Sequence, residues 1–179
     1  MRKLQNNELD RLTPEEYQKT DKNPIVIVLD NVRSLLNIGS IFRTADAFKV
    51  SAVFLCGITG TPPHREINKT ALGAAEVVPW EYFSETTNAI AGLRKKGFKI
   101  LSIEQAEGST DLAAYEFEPG MKYAIVFGHE INGVSQEVLD MSDVCIEIPQ
   151  FGTKHSFNIS VAAGIVLWEV NNGVKGVKA

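Results

Sequence analysis

Cysteine is scarce in this chain: Cys56 and Cys145 are the only two in 179 residues. Each falls in or at the end of an apolar, strand-like run, which reads as a buried thiol and not as a disulfide framework. Positive charge is not in excess either. Lys and Arg number 18 against 22 Asp and Glu, a net charge of -4, with a pI near 5.4. A broad non-specific nucleic-acid binder would carry a basic footprint, so that class is disfavoured. An enzyme that meets nucleic acid through a local patch is not. No apolar run is long and charge-free enough to span a bilayer. The polar start lacks the apolar segment of a signal peptide, and the expected compartment is cytoplasmic. No GxGxxG loop follows the first strand, which disfavours a dinucleotide site or an ordinary Rossmann methyltransferase. His64, His129, His155 and the two cysteines show no zinc-like spacing, so no metal is expected.

What the chain does have is alternation. Thr13-Pro14-Glu15-Glu16 reads as a capped helix start, ended by Pro24. Strands are expected at 25–29, 52–56, 76–78, 98–103, 123–127 and 144–148. Helices are expected at 39–48, 67–72, 83–96, 135–140 and 156–170. Residues 57–65 hold Gly57, Gly60, Pro62 and Pro63 and read as a loop; residues 108–120 read as mixed loop. Short continuous apolar strands alternating with helices predict an α/β fold with a mostly parallel sheet and helices on both faces. The expected organisation is an N-terminal helical extension at 1–24, one α/β domain at 25–170, and a loose tail at 171–179. Trp80, Tyr82 and Phe83 read as an aromatic cluster for core or dimer packing, and Trp168 as buried.

Ligands of such sheets sit at the carboxyl ends of the strands. Four conspicuous segments fall there: 31–43, 102–105, 128–133 and 149–158. The last leads from Ile148-Pro149 into Ser156-Phe157-Asn158 and a helix apolar on nearly every side, which should be buried. An asparagine at the mouth of a buried helix needs a partner, and a ligand can be that partner.

Three of these segments carry a resemblance. Asn37-Ile38-Gly39 with Phe42-Arg43-Thr44-Ala45 resembles the first motif of the SpoU/TrmH family of RNA ribose 2'-O-methyltransferases, of the SPOUT class. Phe127-Gly128-His129-Glu130 with Gly133-Val134-Ser135 resembles the second. Ile148-Pro149 with Ser156-Phe157-Asn158-Ile159-Ser160-Val161-Ala162 resembles the third, with Phe157 where leucine is more common. The motifs come in the family's order over about residues 25–170.

The resemblance implies a deep trefoil knot near the carboxyl end, a feature that general topology rules would not have suggested. It also implies a homodimer, S-adenosylmethionine held bent in the knotted loops, and a nucleotide ribose in tRNA or ribosomal RNA as substrate. As catalytic residues it implies Arg43, with Asn37, Glu130, Ser156 and Asn158 around it. Glu130 would bond Asn37 or Arg43. The cofactor would be gripped mainly by main-chain groups of Ser102, Ile103, Gly128, Ile148, Pro149 and Gln150, with Phe157 and Asn158 beside it. Read as residues alone, Asn37 and Ser156 are equally N-caps, Gly39 a site of close approach, Arg43 a solvated helix arginine, and Glu130 a loop carboxylate. Arg33, Arg43, His64, Arg65, Lys154 and His155 are candidate RNA contacts. A non-catalytic RNA-binding or ribosome-assembly protein on the same scaffold, and an enzyme acting on small molecules, are the competing readings.

Overall fold

The structure is a computed structural model and describes residues 1–5 and 8–176. Its elements alternate: α1 (Pro14–Lys19), β1 (Asn23–Asp30), α2 (Leu35–Ala47), β2 (Val50–Cys56), α3 (Arg65–Ala71), α4 (Ala74–Val77), β3 (Trp80–Phe83), α5 (Thr86–Lys95), β4 (Lys99–Ile103), β5 (Thr110–Asp111), β6 (Tyr123–Phe127), α6 (Gln136–Asp140), β7 (Val144–Glu147) and α7 (Ile159–Val174). The strands form one sheet in the order β3-β2-β1-β6-β4-β7-β5. Every described pairing between these strands is parallel.

β1, beside the central β6, shows how the layers form. Ile25, Ile27 and Leu29 point into one core with α2, α3 and α7. Val26 and Val28 point into the other, against Ala89, Ile90 and Leu93 of α5 and Val138 of α6. A strand apolar on both faces is what a double-sided parallel sheet requires. Each such side chain contributes roughly 1.5–3 kcal/mol by leaving water.

Gly39 sits where α2 meets α3. A Cβ there would lie 2.2 Å from the Ile67 carbonyl oxygen and 2.2 Å from Thr70 Oγ1. The absent side chain is what lets the two helices approach this closely.

Several expectations need correction. Residues 76–78 are not a strand: α4 takes Ala74–Val77, and the aromatic run Trp80–Phe83 forms the edge strand β3 instead. Alanine favours the helical turn and aromatics favour the strand. Phe83 packs on Phe54 at 4.8 Å between centroids, while Trp80 and Tyr82 are exposed. Pro24 does not end α1, which stops at Thr20. It lies at the start of β1, inside a register shift between Asn23 and Val26 that accommodates its missing N–H.

The tail is not loose from residue 171. Helix α7 runs to Val174, Asn171 is buried, and its Oδ1 accepts from Asn23 Nδ2 at 2.9 Å. Residues 177–179 lie outside the described residues. Trp168 is not buried but 56% exposed, and Val161 on the same side of α7 is 49% exposed. Cys56 is buried and Cys145 half-buried, both free.

Candidate active site

The carboxyl ends of β4, β6 and β7, with Asn37 of α2, converge on a cleft of about 510 Å³. Apolar walls come from Ile103, Phe127, Ile148, Ile159 and Ala162, and polar ones from Asn37, Glu104, Glu130, Glu147 and Asn158. A shallower depression of about 390 Å³ lies beside it, lined by Ser40, Arg43, Thr44, Lys69, Thr70, Leu72 and Ser160.

Side chains fasten these loops to one another. Asn158 Nδ2 donates to Asn37 Oδ1 at 3.1 Å. Asn158 Oδ1 accepts from Ser160 N at 2.9 Å and from Ser160 Oγ at 2.6 Å. Asn158 is therefore the N-cap of α7, and Ser160 joins the cap to the wall of the second depression. The Glu130 carboxylate accepts from Arg33 N at 3.1 Å and Ser34 N at 2.8 Å. It thus neutralises free N–H groups at the start of α2, where the helix dipole also favours a negative charge. Partial burial pushes the Glu130 carboxyl up, but the N–H donors of Arg33, Glu130 itself and Ser34, with His129 nearby, outweigh it and hold it below the usual range.

Two further carboxylates position residues 128–135. Glu104 Oε2 accepts from Val134 N at 2.9 Å. Asp30, buried at the end of β1, accepts from Ser135 N at 2.9 Å and Thr86 Oγ1 at 2.6 Å. The crossing is tight at Gly128, where a Cβ would lie 2.1 Å from the Val134 nitrogen. The longer loop, 149–158, is tied by Gln105 Nε2, which donates to the His155 carbonyl at 2.8 Å.

Most expected residues meet in the cleft: Asn37, Ile103, Gly128, Glu130, Ile148, Gln150, His155, Ser156, Phe157 and Asn158 line it. Others do not. Arg43 is on the exposed side of α2 and lines the neighbouring depression. Ser102 is fully buried and pairs with Ser142 Oγ at 2.6 Å, so its side chain faces the interior and not the cleft. Pro149 is not part of the lining.

Neither Asn37 nor Ser156 is a helix cap. Ser34 caps α2 by accepting from Asn37 N, and α7 starts three residues later than expected, with Asn158 as its cap. Glu130 bonds the backbone of the first motif and not the Asn37 or Arg43 side chain.

Arg33, Arg65 and Lys154 are exposed. His64 caps α3 through Nδ1, which accepts from Glu66 N at 3.1 Å. The loop carrying it is fixed by buried Thr59, whose Oγ1 accepts from Val32 N and donates to Leu29 O.

Sequence reasoning did not single out Glu104, Glu147 or His129 in the cleft. Glu104 and Glu147 each sit at the end of an apolar strand, which was the available signal. Lys69 is among the basic residues the sequence offers for a local nucleic-acid patch, and the packing of α3 on α2 places it beside Arg43 in the depression. Among the described residues no grouping of His, Cys, Asp and Glu could hold a metal ion. Neither cysteine is poised as a nucleophile: burial pushes Cys56 up to about 12, with Thr86 opposing and Asp30 adding, and burial also raises Cys145.

The parallel α/β sheet with helices on both faces and a cleft at its strand ends has the fold of solved SpoU/TrmH methyltransferases, the SPOUT class, a class known for a trefoil knot at the carboxyl end. An AdoMet-bound rRNA methyltransferase from Sinorhizobium meliloti matches it with a TM-score of 0.79 at 27% identity, over 90% of this chain and 61% of that one. An A. aeolicus TrmH/SpoU tRNA modifying enzyme has the same fold, with a TM-score of 0.78 at 23% identity over 89% of this chain and 81% of its own. The profile of the SpoU rRNA Methylase family matches residues 24–168.

The 23S rRNA (guanosine-2'-O-)-methyltransferase RlmB of Vibrio cholerae is 32% identical over 168 residues, which is 94% of this chain and 65% of that protein. The chain spans about three fifths of the length of the curated relatives it matches. It belongs to the SpoU rRNA methylase family.

Proposed function

We propose that the protein transfers a methyl group from S-adenosylmethionine to a ribose 2'-hydroxyl in RNA, with tRNA or ribosomal RNA as the substrate class. The observation that carries this reading is the junction of two dissimilar cavities at Asn158. One is a cleft with apolar walls and polar ends, of a size and character that fit a nucleoside joined to an amino acid. The other is an exposed depression holding Arg43 and Lys69, suited to a phosphodiester. Asn158 contacts the first and, through Ser160, borders the second.

When bound, S-adenosylmethionine supplies an electrophilic methyl whose C–S bond breaks as the O–C bond to ribose forms, leaving a neutral thioether and releasing the hydroxyl proton. Ile103, Phe127, Ile148 and Ile159 would hold the adenine. Gln150, Phe157 and main-chain groups of the same strand ends would fix its orientation. Asn37 and Asn158, already locked together, would orient the ribose. A guanidinium is not a base at neutral pH. Arg43 therefore acts as a cation: it seats an RNA phosphate and stabilises the oxygen as it loses its proton, the phosphate relaying that proton to water. Glu130 acts at one remove by holding the start of α2.

Exposed Val161 and Trp168 on α7, with Leu36 and Leu72 nearby in the fold, leave apolar surface uncovered. It supports a homodimer through this face. No described helix is long and apolar enough to cross a membrane, and with the acidic composition this supports a cytoplasmic enzyme.

The test is a map of 2'-O-methyl groups in cellular RNA with and without the gene. Loss of one defined methyl, restored by the wild-type chain and not by Arg43→Ala, is the expected result. An unchanged map together with RNA binding would favour a non-catalytic RNA-binding role.

A further inference from the structure

The cleft has an electrostatic character that its motifs do not explain. Glu104, Glu130 and Glu147 all line it, and no lysine or arginine does. None of the three is among the described salt bridges, which join Arg2–Glu8, Arg94–Asp143 and Lys99–Glu118. Glu104 and Glu130 have both oxygens on backbone N–H groups. Glu104 accepts from Gln105 N at 2.9 Å and Val134 N at 2.9 Å, and Glu130 from Arg33 N and Ser34 N. Glu147 ends β7 half-buried, and no described group donates to its carboxylate. Burial pushes the nearby Cys145 thiol up and the charges of Glu104 and Glu147 add to it, against its hydrogen bond to the Glu104 carbonyl.

Resting on the methyltransferase reading above, we propose that this carboxylate-lined cleft selects for net positive charge, so that it holds the cationic cofactor in preference to the neutral product left after transfer, and that Glu147 is a specificity-determining residue for that choice. S-adenosylmethionine carries a sulfonium, an ammonium and one carboxylate, and so a net charge of +1. S-adenosylhomocysteine has lost the sulfonium charge and is a net-neutral zwitterion. Adenosine and the amino-acid end are common to both, so apolar walls and backbone contacts bind them alike. The transferred methyl and the charge it places on sulfur are what separate them. Glu104 and Glu130 also brace the loops, whereas Glu147 has no such structural duty among the described contacts. Its carboxylate is therefore free to act on the ligand. A unit charge across a few ångströms of partly hydrated cleft changes a cation's affinity by roughly three- to tenfold. The chemical step would then lower the product's own affinity and hasten its release.

Calorimetric titration with three ligands tests this: S-adenosylmethionine, S-adenosylhomocysteine and sinefungin, in which an amine-bearing carbon replaces the sulfonium. Both cations should bind at least about fivefold tighter than the neutral thioether in low salt. Glu147→Gln should weaken the two cations by roughly three- to fivefold and leave the thioether unchanged. Raising salt on the unmodified protein should narrow the same gap, which decides the matter should the variant not fold. Equal affinities, or a gap that responds to neither the variant nor salt, would overturn the charge-selection proposal while leaving the cofactor assignment intact. Failure of all three ligands to bind would overturn the cofactor assignment itself, and this proposal with it.

Discussion

Asn158 and Asn37 are 121 positions apart in sequence, yet the amide of one donates to the carbonyl oxygen of the other at 3.1 Å. The bond ties the first turn of α2 to the mouth of α7, and so the first motif to the third. Asn158 also caps α7. Asn158→Ala should therefore cost about 1–2 kcal/mol of stability, the value of a lost cap. Asn37→Ala removes only the bridge and should cost less. A double-mutant cycle on urea midpoints should return a coupling of about 0.5–1 kcal/mol. Strict additivity would mean that the bridge contributes nothing in solution.

Glu130 gives the same junction a pH dependence. Its carboxyl is held below the ordinary range in the folded state by the N–H groups it accepts from. Its stabilising contribution is thus complete above the unfolded carboxyl's pKa of about 4.3, and is lost as pH falls through the lower folded value. Protection of the Arg33 and Ser34 amides, measured against their intrinsic exchange rates, should fall over that acidic window in the wild type. In Glu130→Gln it should already be low at neutral pH. The substitution should cost about 1 kcal/mol at pH 7, as for other capping side chains. Equal protection in both proteins at neutral pH would remove Glu130 from this role.

The close approach of α2 and α3 makes Gly39 intolerant of substitution. Gly39→Ala places a methyl 2.2 Å from a backbone oxygen, so α3 must shift. A loss of about 2–3 kcal/mol is expected. Gly92 on α5 is the control, because a Cβ there meets nothing within 4 Å. Gly92→Ala should gain about 0.5–1 kcal/mol from helix propensity. Thermal melts of the two variants should move in opposite directions.

Trp168 tests the association proposed for α7. Trp168→Glu puts a charge on the exposed apolar face and should convert the sedimenting species from dimer to monomer at micromolar concentration, with the far-UV spectrum retained. A dimer unchanged by the variant would place the interface elsewhere.

Much of this architecture was legible in the sequence, because the central strands are continuous apolar runs that a double-sided sheet demands. β1, β2 and β6 are of this kind. The failures lie where local preference was ambiguous. Residues 76–78 were short and β-branched, so they read as a strand, while Trp80–Phe83 read as a cluster although it pairs at the sheet edge. Trp168 was expected inside because every side of α7 is apolar, but hydrophobicity alone does not say which side a second copy would cover. The site was legible as a set of strand ends. Its internal wiring was not: that Glu130 bonds backbone N–H groups, and that Arg43 and Lys69 share a depression outside the main cleft, follow from tertiary packing that periodicity does not encode.

The central claim concerns chemistry at this junction, and methyl transfer measured directly tests it best. Purified protein, S-adenosylmethionine labelled in its methyl group and unmodified RNA from cells lacking the gene should yield labelled 2'-O-methylnucleoside. Arg43→Ala should reduce that yield at least about a hundredfold, as for a lost transition-state cation, with cofactor affinity changed less than twofold. Cofactor binding with no labelled ribose in any RNA, or full transfer by Arg43→Ala, would contradict the account.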